Sequence, residues 1–126
     1  MDALAHVNNA NYLAYLEIGR VDYCAKKFDV RELYAVPFLL ARVEIDLLRP
    51  IEFGAQIEVL TCVSRIGNKS WDFSAFIRDA GSKSDFARAR TVQVAFDHRT
   101  KTSHSIPDPM RQILSADLLE FQKTLP

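Results

Sequence analysis

The feature that most constrains the fold is a change in the spacing of apolar residues along the chain. From Asn8 or Asn9 to about Phe28, apolar and aromatic residues recur every three or four positions without an intervening proline. This period predicts an amphipathic helix about 30 Å long with one broad buried stripe. After Pro37 the period becomes two, which is typical of β-strands. A long helix followed by strands predicts an α+β fold in which the helix packs on an antiparallel sheet.

Four segments with alternating apolar and polar residues predict the strands. They are Arg42–Leu47, Gln56–Val63 with an extension to Ile66, Ser70–Arg78 and Phe86–Phe96. Gly67-Asn68 separates the second and third segments and predicts a hairpin. Pro107 and Pro109 end the strand region, and a short terminal helix is predicted from Met110.

Length and charge exclude several classes of function. A chain of 126 residues predicts a single domain over 1–126. Its 16 basic and 16 acidic residues cancel, so neither nucleic acid nor a membrane surface is an expected partner. No apolar run is long enough for a membrane span. Cys24, Cys62 and the three histidines lack metal-site spacing, so we expect no metal and reduced thiols in a cytoplasmic protein.

The stretch before the helix carries the chemistry of interest. Asp2 lies a few residues before the helix start, where the partial positive charge of the helix dipole stabilises anions. On position alone, a capping or loop role for this carboxylate is commoner than a catalytic one.

The same stretch opens a set of motifs that resembles one family. Asp2-Ala3-Leu4-Ala5-His6-Val7-Asn8-Asn9-Ala10-Asn11-Tyr12-Leu13 resembles the signature of hotdog-fold acyl-CoA thioesterases related to 4-hydroxybenzoyl-CoA thioesterase. Four further blocks follow in the same order, over about residues 2–98. They are Glu17-x-x-Arg20, Leu48-Arg49-Pro50-Ile51 with Gly54, Arg65-Ile66-Gly67-x-Lys69-Ser70, and Ala87-x-Ala89 with Val92-x-Val94 and Asp97.

The resemblance implies a hotdog fold, with one long central helix wrapped by an antiparallel sheet. Members of the family carry a strand before the signature. Here the chain begins one residue before Asp2, so the first strand is expected to be missing or truncated.

The resemblance also implies hydrolysis of an acyl-CoA thioester to a free acid and coenzyme A. Asp2 matches the catalytic carboxylate, which acts as nucleophile or general base. The Asn9 backbone amide matches the oxyanion donor, and His6 is expected to be a positioning residue. The sequence contains no Gly-x-Ser-x-Gly elbow or evident Ser-His-Asp set that would favour a serine mechanism. Because a thiolate is a good leaving group, no strong general acid is required.

Coenzyme A enters as part of the substrate, and no separate cofactor is expected. Lys69 matches a family position that contacts the nucleotide, and Arg99 and Lys101 occupy a turn that often supplies further phosphate ligands. The resemblance also implies a homodimer or homotetramer with the site at the subunit interface. The acyl group stays open, since an aromatic or a fatty pocket could equally be lined by four aromatic residues, namely Phe38, Phe53, Tyr12 and Tyr15.

Other interpretations remain open at this point. A hotdog module could bind acyl thioesters or assemble other subunits without catalysis, and a thioesterase could act on acyl carrier protein. A hydratase of the same fold is disfavoured, because its Asp-x-x-x-x-His motif is not seen in the expected context. Glu17 and Arg20, three residues apart on the helix, are interpreted as an ion pair that orients the helix.

Overall fold

The computed structural model describes residues 9–30 and 35–125, with side chains from Asn11 onward. The elements are α1 (Asn9–Lys27), β1 (Phe38–Leu47), β2 (Ile57–Ile66), β3 (Ser70–Asp79), β4 (Asp85–Asp97), β5 (Thr102–Ser103) and α2 (Asp108–Gln122). The long helix and the four strands are confirmed, although β1 begins at Phe38 rather than Arg42. Among these helices, none is long and apolar enough to span a membrane.

The strands form one antiparallel sheet in the order β1-β4-β3-β2, with the short β5 paired to β4. The predicted β2–β3 hairpin is confirmed, and the Gly67 amide donates to the Ser70 carbonyl at 2.7 Å to close it. β1 pairs with β4 rather than with β2. Alternation in the sequence predicts which face of a strand is buried, but it does not predict which strand lies beside it.

α1 lies across one face of the sheet and divides the core into two clusters. In the first half of α1, Tyr12 and Leu16 pack with Ile77, Phe86 and Ala87. These three residues surround the β3–β4 turn at residues 80–84, which we call the turn end of the sheet.

The second half of α1 covers the opposite end of the sheet. Tyr23 and Cys24 pack with Trp71 and Ala95. These residues adjoin the β2–β3 hairpin and the β4–β5 turn, which together we call the hairpin end. α1 therefore runs from the turn end to the hairpin end.

The terminal helix α2 is longer than predicted, with 15 residues from Asp108. Pro109 lies in the first turn of α2, where backbone amides have no partner within the helix. The missing amide proton of proline therefore costs no hydrogen bond, and α2 begins at Asp108 rather than at Met110. Leu114 is fully buried, and Leu118 packs beside the same cluster. Because Leu114 and Leu118 are four residues apart, they lie on the same face of α2. Packing of this face against the core stabilises α2 as one helix through Gln122.

Candidate active site

The start of α1 is placed as the sequence predicts. The helix begins at Asn9, so the Asn9 backbone lies at the positive end of the helix dipole. The first four amide groups of a helix have no partner within it, and such groups can donate to an oxyanion. Asp2, His6 and the Asn9 side chain lie outside the described part of the chain, so their roles stay predictions.

The predicted phosphate ligands lie together at the hairpin end. The Lys69 carbonyl accepts from the Ala95 amide at 2.7 Å, two residues before β4 ends at Asp97. Arg99 and Lys101 follow in the β4–β5 turn, and all three basic side chains are exposed. The Asp97 carboxylate shapes this turn by accepting from the Arg99 amide at 2.8 Å. That bond and a second one from the Thr100 amide lower the pKa of Asp97.

Within one chain, the helix start and these basic residues do not meet. Asn9 lies toward the turn end, whereas Lys69, Arg99 and Lys101 lie at the hairpin end. α1 has 19 residues, which separates its two ends by about 28 Å. Within one chain, the helix start and the three basic residues therefore lie toward opposite ends of the sheet.

A groove of about 640 Å³ lies between α1 and β1. Most of its described lining is apolar, and the lining residues are Leu13, Ala14, Glu17, Arg20, Val21, Val36, Phe38, Leu40, Val43 and His98. Leu13 is one helical turn after Asn9, so the groove begins next to the helix start. Of the four aromatic residues considered for an acyl pocket, Phe38 lines this groove. Tyr12 is buried in the core, and Phe53 is 82% exposed.

Arg20 is the charged residue buried in this groove. Only 9% of its surface is exposed, and its Nη1 atom has no hydrogen-bond partner in the part of the chain that the structure describes. Burial lowers the pKa of Arg20, and attraction to Glu17 offsets part of this effect. Glu17 itself is exposed. The expected Glu17–Arg20 ion pair is not found as a contact within the described residues, although both line the groove and the Glu17 charge acts on Arg20.

Residues 1–114 match the family model of the thioesterase-like superfamily. The chain belongs to this superfamily. The resemblance found in the motifs is thereby confirmed, whereas a search of curated proteins found no match.

Solved structures of thioesterases share the fold of this superfamily member. A predicted thioesterase from Bacillus stearothermophilus is 26% identical, with a TM-score of 0.82, covering 93% of this chain and 86% of its own. A thioesterase from Thermus thermophilus, solved with coenzyme A and zinc, is 27% identical, with a TM-score of 0.82 over 94% of this chain and 85% of its own.

A more distant relative supports the fold alone. The 1,4-dihydroxy-2-naphthoyl-CoA thioesterase Slr0204 from Synechocystis is 17% identical, with a TM-score of 0.77 over 91% of this chain and 87% of its own. These matches confirm the predicted α+β hotdog fold.

Several motif residues of the thioesterase-like chain have structural roles. Arg65 of the hairpin block donates through Nε to Asp72 at 2.9 Å. Arg90 donates to the other oxygen of the same carboxylate at 2.6 Å. Arg49 stacks on the Phe86 ring, with its guanidinium carbon 4.0 Å from the ring centre. Gly54 has a φ of 88°, a conformation that favours glycine.

A second cavity, of about 770 Å³, lies between α1, β2 and α2. Acidic and basic side chains both line it, and Tyr23 donates a hydrogen bond to Asp117 across it. Cys24 and Cys62 are free thiols. Burial raises the pKa of Cys24 to about 11 and raises that of Cys62, which disfavours a thiolate nucleophile at either position.

No metal-binding cluster of three or more His, Cys, Asp or Glu side chains is found within residues 9–30 and 35–125.

Proposed function

We propose that this chain hydrolyses acyl-CoA thioesters to a free acid and coenzyme A. The observation that carries the proposal is the start of α1 at Asn9, directly after a family signature that supplies Asp2 and His6. Membership of the thioesterase-like superfamily supports it. A 27% identical thioesterase solved with coenzyme A supports the substrate class.

In the proposed reaction, Asp2 attacks the thioester carbonyl carbon or removes a proton from the attacking water. The carbonyl oxygen gains negative charge and accepts a hydrogen bond from the Asn9 amide. One such donor is worth about 2.7–4 kcal/mol of the activation barrier. The carbon–sulfur bond then breaks, and the coenzyme A thiolate leaves. If Asp2 is the nucleophile, water then hydrolyses the acyl–aspartate anhydride, which releases the free acid and restores the carboxylate. If Asp2 is the base, the added water becomes part of the free acid directly. His6 acts as a positioning residue for Asp2.

We further propose that the complete site is shared by two subunits of a homodimer or homotetramer. Lys69, Arg99 and Lys101 of one subunit bind the phosphates of coenzyme A, and the helix start of the other polarises the carbonyl. The separation of about 28 Å between the two ends of α1 supports this arrangement, because one chain alone does not bring both sets together.

The direct test replaces Asp2 by asparagine, which keeps the size of the side chain and removes its charge. Release of free thiol from a panel of acyl-CoAs should be lost, while the circular dichroism spectrum and the melting temperature stay close to those of the wild type. Asp46→Asn is the matched control, since Asp46 is an exposed carboxylate on β1. Turnover by Asp2→Asn near the wild-type rate would remove Asp2 from the mechanism.

One further measurement distinguishes the proposed acyl-CoA thioesterase from a thioesterase of acyl carrier protein. Free coenzyme A should compete with acyl-CoA if the basic cluster binds its nucleotide. Turnover that is insensitive to millimolar free coenzyme A would favour a carrier-protein substrate. Acyl-CoA binding without thiol release would favour a binding module.

A further inference from the structure

Arg20 is a buried cation with one unpaired hydrogen-bond donor. It is 9% exposed, and Nη1 has no partner among the described residues. Trp71 Nε1 is the other buried side-chain atom without a partner among the described residues, but Trp71 lies in the core and not in the lining of the groove. Arg20 is among the residues that line the groove between α1 and β1, so a ligand in the groove would contact its side chain.

The chemistry of arginine defines the class of that ligand. A guanidinium has only hydrogen-bond donors, so its partner must be an acceptor. Burying a cation without a partner is costly, and an anionic acceptor offsets this cost best. The apolar residues around Arg20, including Leu13, Val21 and Phe38, favour a hydrocarbon segment attached to the acceptor.

The position of Arg20 along α1 gives an approximate length for this segment. Arg20 follows Asn9 by 11 residues, which is about 16 Å along the helix axis. Helical side chains lean toward the helix start, so an extended arginine shortens this span to about 10 Å. Three bonds of an extended chain span about 3.5 Å, so an acyl chain of about eight bonds spans the remaining distance of about 10 Å.

We propose that the groove between α1 and β1 holds the acyl group and that Arg20 selects acyl groups with a carboxylate at the end remote from the thioester. This inference rests on the proposed thioesterase function and names its substrate class. The hydrocarbon segment packs on the apolar lining, and the remote carboxylate accepts hydrogen bonds from the Arg20 guanidinium.

The experiment compares two substrates of equal length, octanoyl-CoA and suberoyl-CoA, which differ by a terminal carboxylate. The wild type should prefer suberoyl-CoA by tenfold or more in kcat/KM. Arg20→Met should lower this preference by at least tenfold, and Arg20→Lys should retain part of it. Lys26→Met is the matched control, because it removes one positive charge from an exposed position on the same helix, outside the lining of the groove. Its preference should equal that of the wild type.

A binding measurement separates failure of this inference from failure of the proposed function. Thioether analogues of the two substrates cannot be hydrolysed, and their affinities can be measured by calorimetry. If neither acyl-CoA is hydrolysed but the carboxylated thioether binds tenfold more tightly, the thioesterase proposal fails and the role of Arg20 stands. Equal affinity of the wild type for both thioethers overturns the role of Arg20, even if Arg20→Met does not fold.

The same set of variants and thioether analogues distinguishes this proposal from one structural alternative. Arg20 could instead receive a carboxylate from a second copy of the chain. In that case Arg20→Met would dissociate the oligomer in size-exclusion chromatography, and the wild type would bind the two thioethers with equal affinity. That result overturns the proposal.

Discussion

Gly19 of α1 lies directly against Thr61 of β2. A Cβ atom at Gly19 would lie 2.7 Å from Thr61 Oγ1 and 3.0 Å from Val59 Cγ1. Real Cβ atoms do not approach so closely, so glycine at this position sets the distance between the helix and the sheet. Since α1 carries both Asn9 and Arg20, this contact also fixes where the helix start and the groove lie relative to the strands.

We therefore predict that Gly19→Ala destabilises the protein by up to about 2 kcal/mol. Alanine favours the helix by about 1 kcal/mol over glycine, but forcing a methyl group into a packed contact costs about 1–3 kcal/mol. Urea unfolding measures the net change. The double variant Gly19→Ala/Thr61→Ala should recover part of the loss, because it removes the nearest clashing atom. A Gly19→Ala protein more stable than the wild type would contradict the contact.

A second prediction concerns Asp72, which is 3% exposed on β3 and accepts from Arg65 and Arg90. Burial raises the pKa of Asp72, but the hydrogen bonds and charges of the two arginines outweigh it, so the net pKa is lowered. Asp72 therefore stabilises the fold above its unfolded-state pKa, near 4. This contribution is lost as the pH falls through the lower folded-state value.

Asp72→Asn should lower the free energy of unfolding at pH 7 by about 1.5–3 kcal/mol, the usual worth of hydrogen bonds to charged groups. It should also flatten the pH dependence of stability below pH 4. Urea unfolding at a series of pH values tests both effects. Asp46→Asn, on the exposed edge strand β1, serves as the control and should change stability by less than about 0.5 kcal/mol. An equal loss in the two variants would contradict a special role for Asp72.

A third prediction concerns the attachment of α2 to the central helix. Tyr23 donates a hydrogen bond to Asp117, and Lys27 donates to the other carboxylate oxygen at 3.5 Å. Tyr23→Phe leaves the carboxylate without its closest donor and should cost about 1–3 kcal/mol in urea unfolding. Tyr15→Phe is the control at a half-buried position of the same helix and should cost less.

The pH dependence of Tyr23 has the opposite sign to that of Asp72. Burial and then the hydrogen bond to Asp117 raise the pKa of Tyr23. Its contribution is complete below the ordinary tyrosine pKa near 10 and is lost as the pH rises above that value. Tyr23→Phe should therefore reduce the alkaline loss of stability, and an unchanged alkaline transition would argue against this contribution.

The sequence predicts the elements better than their arrangement. The three-to-four spacing predicts α1 within one or two residues, because this helix buries a regular stripe. The alternation in β1 and β4 predicts their buried faces, but their pairing depends on long-range packing that no local pattern contains. The motif resemblance predicts Asn9 and Lys69 as site residues without indicating that they lie at opposite ends of the sheet. Arg20 illustrates the same limit, since its spacing from Glu17 fits a surface ion pair and its burial depends on β1.

The last prediction tests the shared site directly. Lys69→Ala should raise KM for acyl-CoAs by about fivefold to tenfold, because an ionic hydrogen bond to phosphate is lost. Asp2→Asn should abolish turnover. If Asp2 of one subunit works with Lys69 of the other, a dimer with one copy of each variant contains one site with neither substitution and one site with both.

Unfolding and refolding the two variants together at equal concentrations should therefore restore activity at low substrate concentration. Random pairing makes half of the dimers mixed, and each has one intact site of two, so about a quarter of the wild-type sites return. Thiol release at a substrate concentration well below the wild-type KM measures this fraction, with each variant refolded alone as the control. Activity no higher than the mean of the two separate variants would place Asp2 and Lys69 in the same chain's site and would overturn the two-subunit site.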